Sequence, residues 1–378
     1  MNEIKPETLT NKQSSNVSNS KSMPKISFNN RPNPFSVALK QKVDAYFKKE
    51  EVNPVGNSPL FFKNIFLIAS LVVLYVILVF FTPVAWVSTI LCGLLGLNFA
   101  LIGFNVMHEG GHQSLSKHKW LNIISGYSLN VMGGNIYFWK LKHNISHHTY
   151  TNIDGEDHDI NLKPFMRMDE NQPRYWFHKY QYLYWAVFYC MAYFAWISFE
   201  DFNKYFTGRM GPKAEKHKLS VKEHFIFWIT KILYAFAYIV LPMFLVGVVK
   251  TIIGYSIAAI VCGFVISVVF QMAHTVEVAD FPQPDEASNK IESEWAIHQI
   301  NTTANFATKN KVISWFVGGL NFQVEHHLFP KVSHVYYSKI RPLVIETCQE
   351  FNITYNEYPS FFKAFASHLR HLKKLGTA

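Results

Sequence analysis

Four apolar stretches dominate the chain: Ile65 to Val84, Trp86 to Met107, Phe225 to Val249 and Ile252 to Met272. A helix needs about 20 residues to cross the hydrocarbon core of a bilayer, where no water can satisfy an open backbone group. Each run meets that length, so the sequence predicts an all-α membrane protein with four spans. Very short connections around Thr82 to Ala85 and Lys250 to Thr251 fold the spans into two hairpins. Lys231 interrupts the third run near its start, where its long side chain is expected to snorkel to the interface.

A fifth run, "YLYWAVFYCMAYFAWISF" from Tyr182 to Phe199, is long enough to cross but half aromatic. Aromatic enrichment marks interfacial segments, and parity agrees. A crossing here would put the histidine-bearing segments on either side of the second hairpin in opposite compartments. The run is therefore placed in the interface. Lys and Arg crowd the N-terminal segment, the loop from His108 to Glu223 and the C-terminal part, whereas the first hairpin tip has none and the second only Lys250. By the positive-inside tendency the N-terminus, the loop and the C-terminus are cytoplasmic. Residues 1–34 are rich in Asn, Ser, Lys and Pro and read as a disordered tail without the apolar core of a secretory signal, leaving 35–378 as the membrane domain.

Composition narrows the function. Charged residues make up only 16% of the chain against 49% hydrophobic and 16% aromatic, where a soluble domain is about a quarter charged. A net charge of +10 suits nucleic acid, an anionic membrane surface or an acidic partner, but no nucleic-acid signature accompanies it, and the apolar runs exclude a soluble basic binder. Cys92, Cys190, Cys262 and Cys348 are isolated in sequence, so neither a disulfide framework nor a CxxC metal clip is present.

Histidine is the unusual count, at 17. "HEGGH", His108 to His112, follows the second span and places an i, i+4 pair on one helical face. It also fits the HExxH zinc-protease pattern, with Glu109 as base. "HNISHH" supplies His143, His147 and His148, "QMAHTVE" puts His274 just past the fourth span, and "LNFQVEHHLFPKV" supplies His326 and His327 three residues after Gln323. On the inferred topology all eight imidazoles emerge at one membrane face. They exceed the four ligands of a closed zinc site, which points to two metals, and imidazole suits Zn, Cu, Fe and Ni alike.

HxxxH, HxxxHH and QxxHH in this order, with a hairpin of spans between the second and third, resemble the three histidine boxes of the membrane fatty acid desaturases over about Pro59 to Phe351. The resemblance implies two Fe ions that activate dioxygen, held by the box histidines and by one further histidine, a position His274 fits. Gln323 in place of the first histidine of the third box is similar to front-end desaturases, which insert a double bond between an existing one and the carboxyl end. The metal ligands implied are His108, His112, His143, His147, His148, His274, Gln323, His326 and His327.

The substrate expected is a fatty acyl chain, as acyl-CoA or acyl-lipid. Many front-end relatives carry a fused cytochrome b5 domain with an HPGG motif; the sequence lacks that motif, so a separate donor such as ferredoxin or cytochrome b5 is expected to bring electrons. The same chemistry would serve a hydroxylase. A metal transporter is the reading from another class, but its sites belong near the bilayer midplane, whereas these histidines sit at span ends.

Glu109, Glu325, Asp154, Asp157 and Asp159 are candidates to orient ligating histidines through the free ring nitrogen, or are simply solvated. His158 has no partner spacing. Lys117, Lys119, Lys140, Lys142, Lys331 and Arg341 are placed to attract an acidic donor or a phosphate-bearing carrier, or belong to an ordinary positive-inside surface. "FFKAFASHLRHLKKLG" reads as an interfacial basic helix with His368 and His371 solvated.

Overall fold

The computed structural model describes residues 26–29, 34–211, 214 and 216–378. It is mostly helical, and among the described residues five helices are long and apolar enough to cross a membrane: Ser58–Phe81, Ala85–His112, Trp176–Thr207, Val221–Leu245 and Val248–His274. The first begins earlier than its apolar run. Asn57 caps it by accepting from Leu60 N at 3.2 Å, and Pro59 sits in its first turn. Lys63, which breaks the hydropathy, is buried with its ammonium 4.6 Å over the Trp315 ring and donating to the Trp315 carbonyl. Outward-facing Phe62, Ile65, Phe66, Val72, Val73 and Phe81 are more than half exposed, an apolar surface that lipid covers and water would not.

The break between Ser58–Phe81 and Ala85–His112 includes Thr82, whose φ is 42°. The break between Val221–Leu245 and Val248–His274 falls at Val246 and Gly247, about one helical turn before the Lys250 to Thr251 connection expected. Gly247 takes φ 100°, a conformation open to glycine and costly for other residues, so the break falls there. Lys231 does not snorkel. It points inward and donates to Gly133 O at 2.6 Å, Ile197 O at 2.8 Å and Asp201 Oδ2 at 3.1 Å.

The run at Tyr182 to Phe199 lies within the Trp176–Thr207 helix, and both helix ends contact loops that also reach the histidines. At the start His178 Nε2 donates to Pro164 O at 2.8 Å, and at the end Glu200 lies 3.6 Å from Lys142. Between them the helix crosses Val248–His274 so closely that a Cβ at Gly263 would meet Tyr189 and Cys190 carbonyls at 2.8 to 2.9 Å. Leu183, Val187 and Met191 form an exposed stripe on the opposite side.

A cap of shorter helices covers the span ends. Phe35, Leu39 and Val43 of the Pro34–Lys49 helix bury their i, i+4 stripe against Tyr337, Ile340 and Val344 of the Tyr337–Glu350 helix. Two parallel two-residue ladders pin the cap, Ser27–Phe28 to Lys290–Ile291 and Asn305–Phe306 to Glu357–Tyr358. In the first, Phe28 is buried between the rings of Tyr150 and His298, which anchors the few described residues of the N-terminal segment. The rest of the tail lies outside the described residues. The C-terminal Phe361–Thr377 helix also departs from expectation. His368 and His371 are on its packed face, with His368 bridging Thr275 O at 2.7 Å and the Tyr189 hydroxyl at 2.7 Å.

Candidate metal centre and acyl cavity

Four helical segments deliver the histidines. In the final turns of Ala85–His112, residues Gly103–Met107 form a π-turn just before the HEGGH segment, an insertion that often re-aims side chains at functional sites. The two glycines of HEGGH permit contact that the sequence alone does not reveal. A Cβ at Gly110 would lie 2.5 Å from Gly126 N, and one at Gly111 would lie 2.3 Å from the Trp139 ring. Trp139 in turn stacks on His143 at 4.5 Å. The second box is itself a π-helix, Lys140–His147, so adjacent His147 and His148 diverge, their rings 76° apart. His274 ends Val248–His274, and His326 and His327 come from the short Gln323–Leu328 helix.

The eight histidines converge into one buried cage. His108, His112, His143 and His326 bring ring nitrogens within 4.8 Å of one another, and so do His147, His274 and His327. His148 stands between the groups, its ring 4.6 Å from His326 and 4.3 Å from His327. The Nε2 atoms of His112, His147, His326 and His327, Nδ1 of His148 and both ring nitrogens of His274 are buried without a hydrogen-bond partner. Leaving that many buried polar atoms unmet is costly, and aligned imidazole lone pairs are what a transition metal takes up. The residues therefore fit metal. Burial and the neighbouring imidazoles push His148, His326 and His327 well below the usual histidine range, so these rings are neutral at pH 7.

The opposite ring nitrogens are held. Asp157 Oδ2 accepts from His147 Nδ1 at 3.0 Å, Asp159 Oδ2 lies 3.3 Å from His143 Nδ1, Gln299 Oε1 lies 2.8 Å from His327 Nδ1, and the Tyr337 hydroxyl lies 3.1 Å from His326 Nδ1. Burial lowers the His147 pKa, but the Asp157 and Asp159 charges outweigh it and the net shift is upward. Of the five carboxylates singled out, Asp157 and Asp159 touch cage histidines and the other three face elsewhere. Glu109 binds His334 and Ser114, Asp154 binds Lys163 and Gln172, and Glu325 binds Tyr355 and Asn305. A protease base at Glu109 is thereby set aside, since its carboxylate is held away from the cage. Gln299 and Tyr337 carry no motif spacing; only Trp139, one helical turn before His143, offered a sequence signal.

Gln323 is buried with its Oε1 unpartnered. It lines a cavity of about 210 Å³ together with His108, His143 and His326. Its lining includes a polar set, Lys142, His158, Asp159, Asn161, Glu200 and Lys204, in which Lys142 pairs with Asp159 and Glu200 and Lys204 pairs with Glu200, and an aromatic and apolar set that includes Phe99, Tyr193 and Cys262. Lys142 is committed to Asp159 at 2.8 Å, and Arg341 to Glu357. Lys117, Lys119 and Lys331 are exposed and Lys140 half-buried. His158 lines the cavity wall rather than joining the cage.

A membrane-embedded helical fold carrying a histidine cage that opens on an apolar cavity defines an enzyme acting on lipid chains. Residues 59–359 match the fatty acid desaturase family, and the chain belongs to it. It is 35% identical over 352 residues to an sn-1 linoleoyl-lipid 6-desaturase of Arthrospira platensis, covering 90% of this chain and 92% of the relative. It is 36% identical over 350 residues to an acyl-lipid (8-3)-desaturase of Physcomitrium patens, covering 90% and 72%. A Synechocystis sn-1 linoleoyl-lipid 6-desaturase is 33% identical over 350 residues, covering 91% and 96%. The protein is a fatty acyl desaturase, and the hydroxylase and transporter readings give way to that.

Proposed function

We propose that this desaturase holds two iron ions in the cage and uses dioxygen to place a double bond toward the carboxyl end of an acyl chain carried on a lipid. The observation that carries the reading is the convergence of eight buried imidazoles into overlapping clusters of ring nitrogens, six of these histidines with a ring nitrogen left unpartnered. His108, His112 and His143 would hold one ion and His147, His274 and His327 the other, with His148 and His326 between them and the Gln323 amide oxygen at the cavity wall. When bound, redox-active iron supplies the oxidising power needed to take hydrogen from an unactivated methylene. The protein's own part is positional: Asp157, Asp159, Gln299 and Tyr337 fix the rings, and the cavity excludes water and aligns the chain. The substrate gives two of the four electrons that reduce dioxygen to water, so a separate donor such as ferredoxin or cytochrome b5 gives the other two.

Regiochemistry follows from the cavity's polarity. Its polar wall adjoins His143 through Lys142 and Asp159. A carboxyl or lipid headgroup there sets the carbons closest to it against the cage. Gln323 and the relatives' names, which specify acyl-lipids and the 6 and (8-3) positions, support the same front-end reading. For topology, the contact of His147 with His274 supports an even number of crossings between them. Anchoring of both ends of Trp176–Thr207 beside the histidine-bearing loops supports an interfacial placement for that helix, four crossings in two hairpins, and boxes on the cytoplasmic side with both termini.

Expression in a host of known lipid composition, followed by mass-spectrometric location of new double bonds, tests the proposal. The expected product is a new double bond on the carboxyl side of an existing one, within lipid-bound chains. New double bonds only on the methyl side, or hydroxylated chains, would overturn it.

A further inference from the structure

Beyond the acyl cavity lies a second one. It measures about 470 Å³ and sits between the hairpin tips, lined by Leu78, Cys92, Leu95, Tyr255 and Ala258 among others. The two cavities share only Phe99 and Tyr193 in their walls. The rings of this pair are 6.0 Å apart and tilted by 44°, which is direct aromatic contact. The two side chains are held differently. The Tyr193 hydroxyl is pinned by Met132 O at 2.5 Å and by the Tyr234 hydroxyl at 3.1 Å. Phe99 has no polar tether and rests on Tyr193 and, edge-on at 5.4 Å, on Tyr238.

Position gives the contact its meaning. Phe99 lies nine residues before His108 in the same helix, about 13 Å at 1.5 Å per residue. With the polar end of the chain beside Lys142, the methyl end runs from the cage toward Phe99. We propose that Phe99, braced by Tyr193, is the partition that ends the acyl cavity and so fixes how much chain the desaturase accepts on the methyl side of the new double bond. This rests on the reading of the cavity as the acyl site. Removing the Phe99 ring joins the two cavities, and the space gained is apolar, walled by Leu95, Cys92 and Ala258.

The test is a competition. Membranes carrying each variant receive a mixture of acyl chains that share the carboxyl end and are lengthened two carbons at a time at the methyl end. The ratio of longest to shortest desaturated product is read within each sample, so it does not depend on the amount of folded protein. A methylene that finds or loses its place in an apolar pocket changes selectivity by roughly tenfold or more. Phe99→Ala and the milder Phe99→Leu are expected to raise the ratio, Phe99→Ala by about that factor, and Phe99→Trp to lower it. Phe99→Ala combined with Leu95→Trp, which refills the second cavity one helical turn further on, returns it toward the parent value. An unchanged ratio in all three single variants, with the shortest chain still converted, would overturn the partition. Absence of any desaturation by the parent protein would instead count against the proposed function.

Discussion

His147 Nδ1 and Asp157 Oδ2 lie 3.0 Å apart with both side chains fully buried. Asp157 is itself fixed by the amides of Asn152 and Asp159, each at 2.9 Å. The pair thus presents His147 Nε2 to the cage in one tautomer. Asp157→Asn keeps the shape but removes the charge, and metal content or turnover is expected to fall by about 10- to 100-fold. Atomic absorption and a desaturation assay on the same preparation check this. Full metal and full rate would mean that the carboxylate only packs.

Gln323 has a different task because it lines the cavity with His326 and its oxygen is unpartnered. An amide oxygen can accept a hydrogen bond or approach a metal, and Leu can do neither. Gln323→Leu is expected to lose nearly all activity while Gln323→His retains more. Equal rates for Leu and Gln would reduce the residue to filling space.

The Lys231 and Asp201 pair is a stability element. Deleting one partner of a buried ion pair leaves a bare charge and costs about 3 to 5 kcal/mol, whereas replacing both with apolar groups costs far less. Thermal unfolding in detergent is therefore expected to show Lys231→Met well below the parent and Lys231→Met/Asp201→Leu partly restored. A double variant no better than the single one would contradict this.

Burial pushes His298, His368 and His371 down to about 4. An unfolded histidine titrates near about 6.5. Between those values the unfolded chain binds protons that the folded chain does not. Stability is therefore full above about pH 6.5 and falls as pH drops toward 4, by up to about 1.4 kcal/mol per pH unit for each histidine. His371 stacks on Phe281 at 5.2 Å, so His371→Phe keeps the stack and removes one titration. Its melting temperature is expected to decline less steeply from pH 6.5 to 4.5 than the parent's; parallel slopes would contradict the assignment.

The nine cage and cavity residues were legible in sequence because their boxes are local patterns at helix ends. What orients them was only half legible. Asp157 and Asp159 follow the second box closely, whereas Gln299 reaches His327 and Tyr337 reaches His326 through tertiary packing that no spacing records. Hydropathy placed the apolar runs but missed the start at Ser58, because Lys63 is polar in sequence and sheathed by Trp315 in the fold. It missed the burial of His368 and His371 for a related reason: a basic helix looks solvated until its apolar face finds Tyr189 and Phe281. The glycines of HEGGH weaken a helix in isolation and permit close contact in the fold.

The eight histidines on four chain segments are proposed to form one two-metal centre. The most direct test is the metal-to-protein ratio of iron-loaded, desaturating protein, compared with His112→Ala and His274→Ala, one variant from each group. About two irons per chain are expected in the parent and about one in each variant. Active parent protein with no bound transition metal, or with a single ion whose content neither substitution changes, would contradict it.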